Sequence, residues 1–122
     1  MCYNNSMKQN KLLEQAQTFA VLIVDVSMKL KSIGQKSLSE QIKRSGTSIS
    51  ANIAEGNYPQ SRADMVSKFE IALKEANETE NWLTVCQKSD LLETELFSSA
   101  HKQLIKIKIL LIASIKTLKS KL

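Results

Sequence analysis

Within QIKRSGTSISANIAEG, residues 41–56, Ile42, Ile49 and Ile53 recur at seven- and four-residue steps, with Leu38 one turn ahead of them. That period lines all four along one face of an α-helix, whereas a half-buried strand would alternate. Ser45 falls inside the apolar stripe, and Gln41, Ser48 and Asn52 line one edge beside Arg44 and Glu55. Small polar residues at an edge let helices approach closely and hydrogen-bond across the contact. Ser37-x-x-Glu40 has the form of a capping box at the start of this helix. Gly56-Asn57-Tyr58-Pro59 stops it, because Pro59 biases the preceding residue out of helical geometry. A helix is expected over 38–56.

The same period continues on both sides. Upstream, Leu12, Ala16, Phe19, Ile23, Val26 and Leu30 form one stripe, so a helix is expected over about 7–33, ended by Gly34. Downstream, Ser61 and Asp64 signal a new start, and Met65, Phe69, Ala72, Leu73, Ala76 and Leu83 share a face of a helix over 62–88. After a break at Lys88-Ser89-Asp90, Leu96, Ala100, Leu104, Ile107, Leu111, Ile115 and Leu118 carry a last helix over about 92–121. No segment has a convincing strand period. With only 3 glycines and 1 proline, the chain also lacks the turn residues of a β-sandwich, a barrel or a Gly-rich nucleotide fold. Its 122 residues suit a single domain, 1–122, and short connections make consecutive helices antiparallel neighbours. The expected fold is all-α, an up-down-up-down antiparallel four-helix bundle.

Two of these helices are too apolar for a lone bundle. The first carries Val21, Leu22 and Met28 off its main stripe, and the last carries Ile105, Ile109 and Ile112 on the side away from its own. A helix apolar on two faces must bury both, and four helices offer no internal partner for the second. Self-association through Val21, Leu22, Ile105, Ile109 and Ile112 is therefore expected.

Catalytic and ligand-binding signatures are missing. Cys2 and Cys86 form no disulfide framework or zinc spacing, and His101 is the only histidine. His101 reads as a solvated helix residue and Cys86 as a small core or interface residue. Arg44 and Glu55 have no tunable base, phosphate cradle or ligand cluster beside them, so a structural polar network suits them better than catalysis. No metal or cofactor is expected, and no enzymatic activity. Glu80 falls between Ala76 and Leu83 in the apolar stripe of the third helix, where an isolated charge would cost several kcal/mol. A partner on the second helix is expected for it, Arg44 or the donors Ser48 and Asn52. The opening residues, Met1 to Lys11, lack the apolar run of a signal peptide. The apolar runs Phe19–Val24 and Ile109–Ala113 are also far short of the ~20 residues that cross a bilayer. No membrane association and a reduced, cytoplasmic setting are expected.

The formal charge is +5, and it is unevenly placed: residues 101–122 hold six lysines and no acid, whereas 62–100 hold four basic and eight acidic groups. A lysine-rich final helix suits its own C-terminal dipole, and it would equally suit a polyanion. Lys102, Lys106, Lys116 and Lys119 share the broad polar side of that helix and are the candidate nucleic-acid contacts. No Tyr, Phe or Arg is interleaved with them, which argues for phosphate attraction without base stacking or base reading.

Residues 41–56, then Ser61-Arg62-Ala63-Asp64, then KFEIALKEANETENWL over 68–83 closely resemble the four-helix-bundle family also called the 23S rRNA intervening-sequence protein family. The matching positions are Arg44, Ser48, Asn52, Ile53, Ala54, Glu55, Gly56, Glu80, Trp82 and Leu83. The likeness is strong over about 37–86 and a matter of pattern elsewhere. Tyr58-Pro59 departs from the basic, proline-free loop of many relatives and weakens a loop role in basic contacts. The resemblance implies a ring-like homopentamer without enzymatic activity. Some members are encoded within 23S rRNA genes; others resemble the accessory protein of diversity-generating retroelements, a basic ring that binds nucleic acid and a reverse transcriptase. Two functional expectations follow. One is a non-enzymatic oligomer that binds RNA or DNA by charge with little sequence specificity. The other is a protein–protein assembly or adaptor protein whose lysines serve solubility.

Overall fold

The computed structural model describes the backbone of residues 3–122 and the side chains of residues 11–122. Helix α1 spans Tyr3–Ser32, α2 Lys36–Gly56, α3 Arg62–Lys88 and α4 Thr94–Lys119. Each helix packs on its two neighbours, α1 on α2, α2 on α3, α3 on α4 and α4 back on α1, while the diagonal pairs make no close backbone approach. This is the up-down-up-down four-helix bundle. Cys2 lies outside the described residues.

The capping box expected at Ser37 and Glu40 does not form. Helix α2 starts earlier, at Lys36, with Gln35 at its N-cap and no side-chain hydrogen bond there. The preceding turn accounts for this. Gly34 takes a φ of +84°, its N–H donates to the Lys31 carbonyl at 3.1 Å, and the Gln35 N–H donates to Leu30 at 2.9 Å. This closure of the α1 carbonyls aligns the chain for helix immediately, so Ser37 falls inside α2. The α3 entry follows the sequence signal: Ser61 Oγ accepts from the Asp64 N–H at 3.0 Å, and the Asp64 carboxylate accepts from the Gln60 N–H at 3.1 Å. At the far end of α3, Asp90 adopts a φ of 55° and the Leu91 N–H reaches the Cys86 carbonyl at 2.8 Å. Leu91 and Leu92 then tuck against the core, which delays α4 to Thr94.

The core is the set of stripes read from the sequence. Phe19, Ile23, Leu30, Ile42, Ile49, Ile53, Phe69, Leu83, Leu104 and Leu111 are all fully buried. Two features cross it. At Gly46 a Cβ would stand 2.6 Å from Ile23 Cγ2 and 3.0 Å from Ile23 Cβ, so α2 rests directly on the branched side chain of α1. Beside it the buried Ser45 and Thr79 hydroxyls meet at 2.8 Å, joining α2 to α3. Thr79 Oγ1 is also 2.8 Å from the Glu75 carbonyl, so the pair meets its hydrogen-bonding needs without water. Cys86 is a buried core residue, and burial pushes its thiol pKa up.

Candidate functional site

The polar edge of α2 faces α3, and Arg44 spans the gap. Its Nη1 sits 3.3 Å from Glu75 Oε2, and its Nη2 bonds the Glu78 carboxylate. The Trp82 indole donates to that same Glu78 oxygen at 3.1 Å. Trp82 first, and then Arg44, hold the Glu78 carboxyl below the usual carboxylate range, while Glu78 raises the Arg44 pKa further. Ser48 and Asn52 turn back onto their own helix: Ser48 Oγ donates to the Arg44 carbonyl at 2.6 Å and Asn52 Nδ2 to the Ser48 carbonyl at 2.8 Å. Glu55 is exposed and pairs with Lys68 of α3 at 3.1 Å. Gly56 is buried where a Cβ would meet the Phe69 ring at 2.6 Å. Arg44 and Glu55 thus fasten α2 to α3 from either end.

Glu80 corrects the sequence reading. It points away from α2 and toward α4, where Lys108 Nζ donates to Oε1 at 2.7 Å and His101 Nε2 lies 3.0 Å from Oε2. The position facing α2 in the core belongs to its neighbour, Thr79, and the rotation of one residue carries Glu80 round to the α3–α4 seam. Lys108 first, then His101, keep its carboxyl below the usual range despite partial burial. His101 is accordingly no simple solvated residue: it is half-buried, stacked on Phe97 with ring centroids 5.5 Å apart, and joined to Glu80. No local spacing could have announced this trio, since it depends on the antiparallel register of α3 against α4.

The outer faces of α1 and α4 are where apolar surface is left open. Val21 is 65% exposed, Met28 63%, Ile109 61% and Ile112 52%. Leu22 and Ile105, expected beside them, are half-buried, with Leu22 packed against the core. Lys102, Lys106 and Lys116 are exposed and, among the described residues, take part in no ion pair. Lys119 is paired with Glu70 of α3 at 2.8 Å. Sequence spacing alone assigns the isoleucines and the lysines of α4 to separate surfaces. The bundle merges them, because Lys102, Lys106, Ile109, Ile112, Ala113 and Lys116 all lie on the one side of α4 turned from the core. An open groove lined by Glu14, Gln15, Thr18, Gln103 and Lys106 separates this side from α1.

Among the described residues, no group of His, Cys, Asp and Glu could hold a metal ion, and no helix is long and apolar enough to cross a membrane. The arrangement can dock another apolar surface and attract anions. A comparison with curated proteins finds no match. Among solved structures, the fold is shared with a protein of unknown function from the S23 ribosomal protein family of Bacteroides thetaiotaomicron VPI-5482. That protein is 43% identical, with a TM-score of 0.86 over 89% of this chain and 98% of the other. Residues 8–113 match the 23S rRNA-intervening sequence protein family. With four helices in the bundle order and nearly the whole chain matched, this protein belongs to that family.

Proposed function

We propose that the protein is a non-enzymatic helical bundle that self-associates and holds nucleic acid by charge, without reading sequence. The observation that carries this reading is the outer side of α4, where exposed isoleucines stand among lysines that have no ion-pair partner among the described residues. Apolar residues exposed to this degree at the centre of a helix face favour burial against another protein surface. The family resemblance makes a homopentameric ring the favoured assembly, and any ring multiplies the +5 surplus of each copy.

The two tasks divide along α4. Lys106 and Lys116 flank Ile109, Ile112 and Ala113 and go with the docking surface. Lys102, two turns before Ile109, and Lys119 and Lys121, at and just beyond the C-terminal end of the helix, are the lysines this reading gives to phosphates. The exposed Lys119–Glu70 pair is no obstacle, because surface pairs of this kind contribute about 0–1 kcal/mol and exchange readily for a phosphate. A reverse transcriptase or another protein would meet the same assembled surface.

The test is binding of labelled RNA and DNA across a salt series. The reading expects weak-to-moderate affinity, little dependence on sequence, and a steep loss as salt rises. Lys102→Gln, Lys119→Gln and Lys121→Gln together should flatten the salt slope with the assembled mass unchanged. No binding by the unmodified protein at low salt would leave an assembly or adaptor protein whose lysines serve solubility.

A further inference from the structure

Among the described residues, every aromatic side chain but one has a place in the bundle. Phe19 and Phe69 are fully buried. Phe97 packs against the core and stacks on His101, and Trp82 packs against the core and donates to Glu78. Tyr58 is 89% exposed, and its hydroxyl makes no hydrogen bond to a described residue. The backbone that carries it is nonetheless held. The Tyr58 N–H donates to the Glu55 carbonyl at 3.1 Å, and Pro59 fixes the next φ. Beyond it the Gln60 N–H donates to the Asp64 carboxylate and Ser61 Oγ accepts from the Asp64 N–H. A bare ring on a braced turn loses little freedom when a ligand stacks on it.

We propose that Tyr58 is a stacking platform for an unpaired base, and that the end of the bundle where it stands takes a single-stranded nucleic acid. This rests on the charge-held nucleic-acid reading above and deepens it by naming the form of the strand. In sequence the lysines of α4 have no aromatic residue among them. The fold brings one to their end, because α2 finishes, α3 begins and α4 finishes together. Each acid at this end is already engaged: Glu55 with Lys68, Glu70 with Lys119, and Asp64 with the Gln60 N–H. Arg62, Lys116 and Lys121 are left as cations without a carboxylate partner among the described residues. The Arg62 guanidinium donates to the Lys121 carbonyl at 3.0 Å, which brings the start of α3 against the end of α4. Arg62 is four residues after Tyr58, a reach of at most about 14 Å. A short strand can therefore lay one base on the ring and neighbouring phosphates on the cations. Stacking needs a free π-face, which a duplex offers only at its ends, and it tolerates any base because every base has one. The platform thus favours single strands and leaves sequence unread. The face of a base is alike in RNA and DNA, so both strands share this chemistry.

Fluorescence anisotropy tests this with labelled single strands of RNA and of DNA, about 15 nucleotides long, and a duplex of the same length. The proteins are the unmodified chain, Tyr58→Ala and Tyr58→Phe, which should have equal helical content by far-UV circular dichroism because the ring lies outside the core. Tyr58→Ala is expected to weaken single-strand binding at least about fivefold, the lower end of what one stacked base contributes, and to leave duplex binding unchanged. Its salt slope should match that of the unmodified chain, because the lost contact is not ionic. Tyr58→Phe keeps the ring and should stay within about twofold of the unmodified chain. A loss seen with RNA strands alone, or with DNA strands alone, supports the platform and assigns its source. Single strands bound equally well by Tyr58→Ala, or a Tyr58→Phe protein as weak as Tyr58→Ala, overturn the platform and leave charge-held binding standing. A loss shared equally by the duplex, or an unmodified chain that binds the duplex alone, also overturns it. No binding of any strand by the unmodified chain at low salt overturns the nucleic-acid reading itself.

Discussion

Gly46→Ala is the most informative single change in the core, because the structure states what the added methyl would meet. The new Cβ would lie 2.6 Å from Ile23 Cγ2 and 3.0 Å from both Ile23 Cβ and Cγ1. Carbon atoms pack at about 3.5–4.0 Å, so α1 and α2 would have to separate by roughly an ångström or Ile23 would have to leave its rotamer. Ile23 is branched at Cβ and fully buried, which closes the second route. Overpacking of this kind costs about 1–3 kcal/mol. Alanine recovers up to about 1 kcal/mol through its better helix propensity. The net expectation is a loss of about 1–2 kcal/mol, equivalent to about 4–8 °C in Tm for a chain of this length. Urea unfolding followed by far-UV circular dichroism, at one fixed protein concentration, would read it. A cycle with Ile23→Ala isolates the cause: the double variant should be less destabilised than the sum of the two single variants by at least about 1 kcal/mol. Gly46→Ala proteins as stable as the unmodified chain, or an additive cycle, would refute the reasoning.

Glu80→Ala should cost about 1–2 kcal/mol in urea unfolding, between the values for surface and buried ion pairs, because it strands the half-buried Lys108. Since the Glu80 carboxyl is held below its unfolded value, its stabilisation is present above the unfolded carboxylate pKa and is lost as the pH falls through the folded one. Glu80→Gln should therefore show a shallower acid loss of stability than the unmodified protein, with Glu78 supplying what remains. Thr79→Val removes one hydroxyl of the buried Ser45–Thr79 pair and leaves Ser45 with a single weak bond, to the Ile42 carbonyl at 3.4 Å, so a loss of about 1–2 kcal/mol is expected in the same assay. Cys86 should react with a maleimide only as the protein unfolds, as read by mass spectrometry of the labelled peptide; rapid labelling under native conditions would contradict its place in the core.

What the sequence made legible was whatever depends on helical period. The stripes from Leu12 to Leu118 became the core, and Ser61 with Asp64 opened α3, because those signals act within a turn or two of chain. Contacts set by register between helices were beyond it. Glu80 differs from Thr79 by one position, which is enough to change its partner from α2 to α4. Ser37 and Glu40 had the right spacing for a cap but lost the role to the turn at Gly34, whose geometry started the helix first. Spacing marks both the lysines and the isoleucines of α4, but only the packed bundle shows that they share one side of one helix. Spacing places Arg44 on a polar edge, while its partners Glu75 and Glu78, and the Trp82 indole that shares Glu78, appear only once α3 is laid beside α2.

The central claim is that the outer side of α4 is a contact surface between copies, and light scattering on the unmodified protein and Ile109→Glu tests it most directly. Ile109 is 61% exposed in the single chain, so a charge there leaves the bundle core untouched. The unmodified protein is expected at a multiple of 13.7 kDa and the variant at or near 13.7 kDa, with equal helical content. An unmodified protein that scatters as a stable monomer at micromolar concentration, or a variant that assembles as well as its parent, would contradict it.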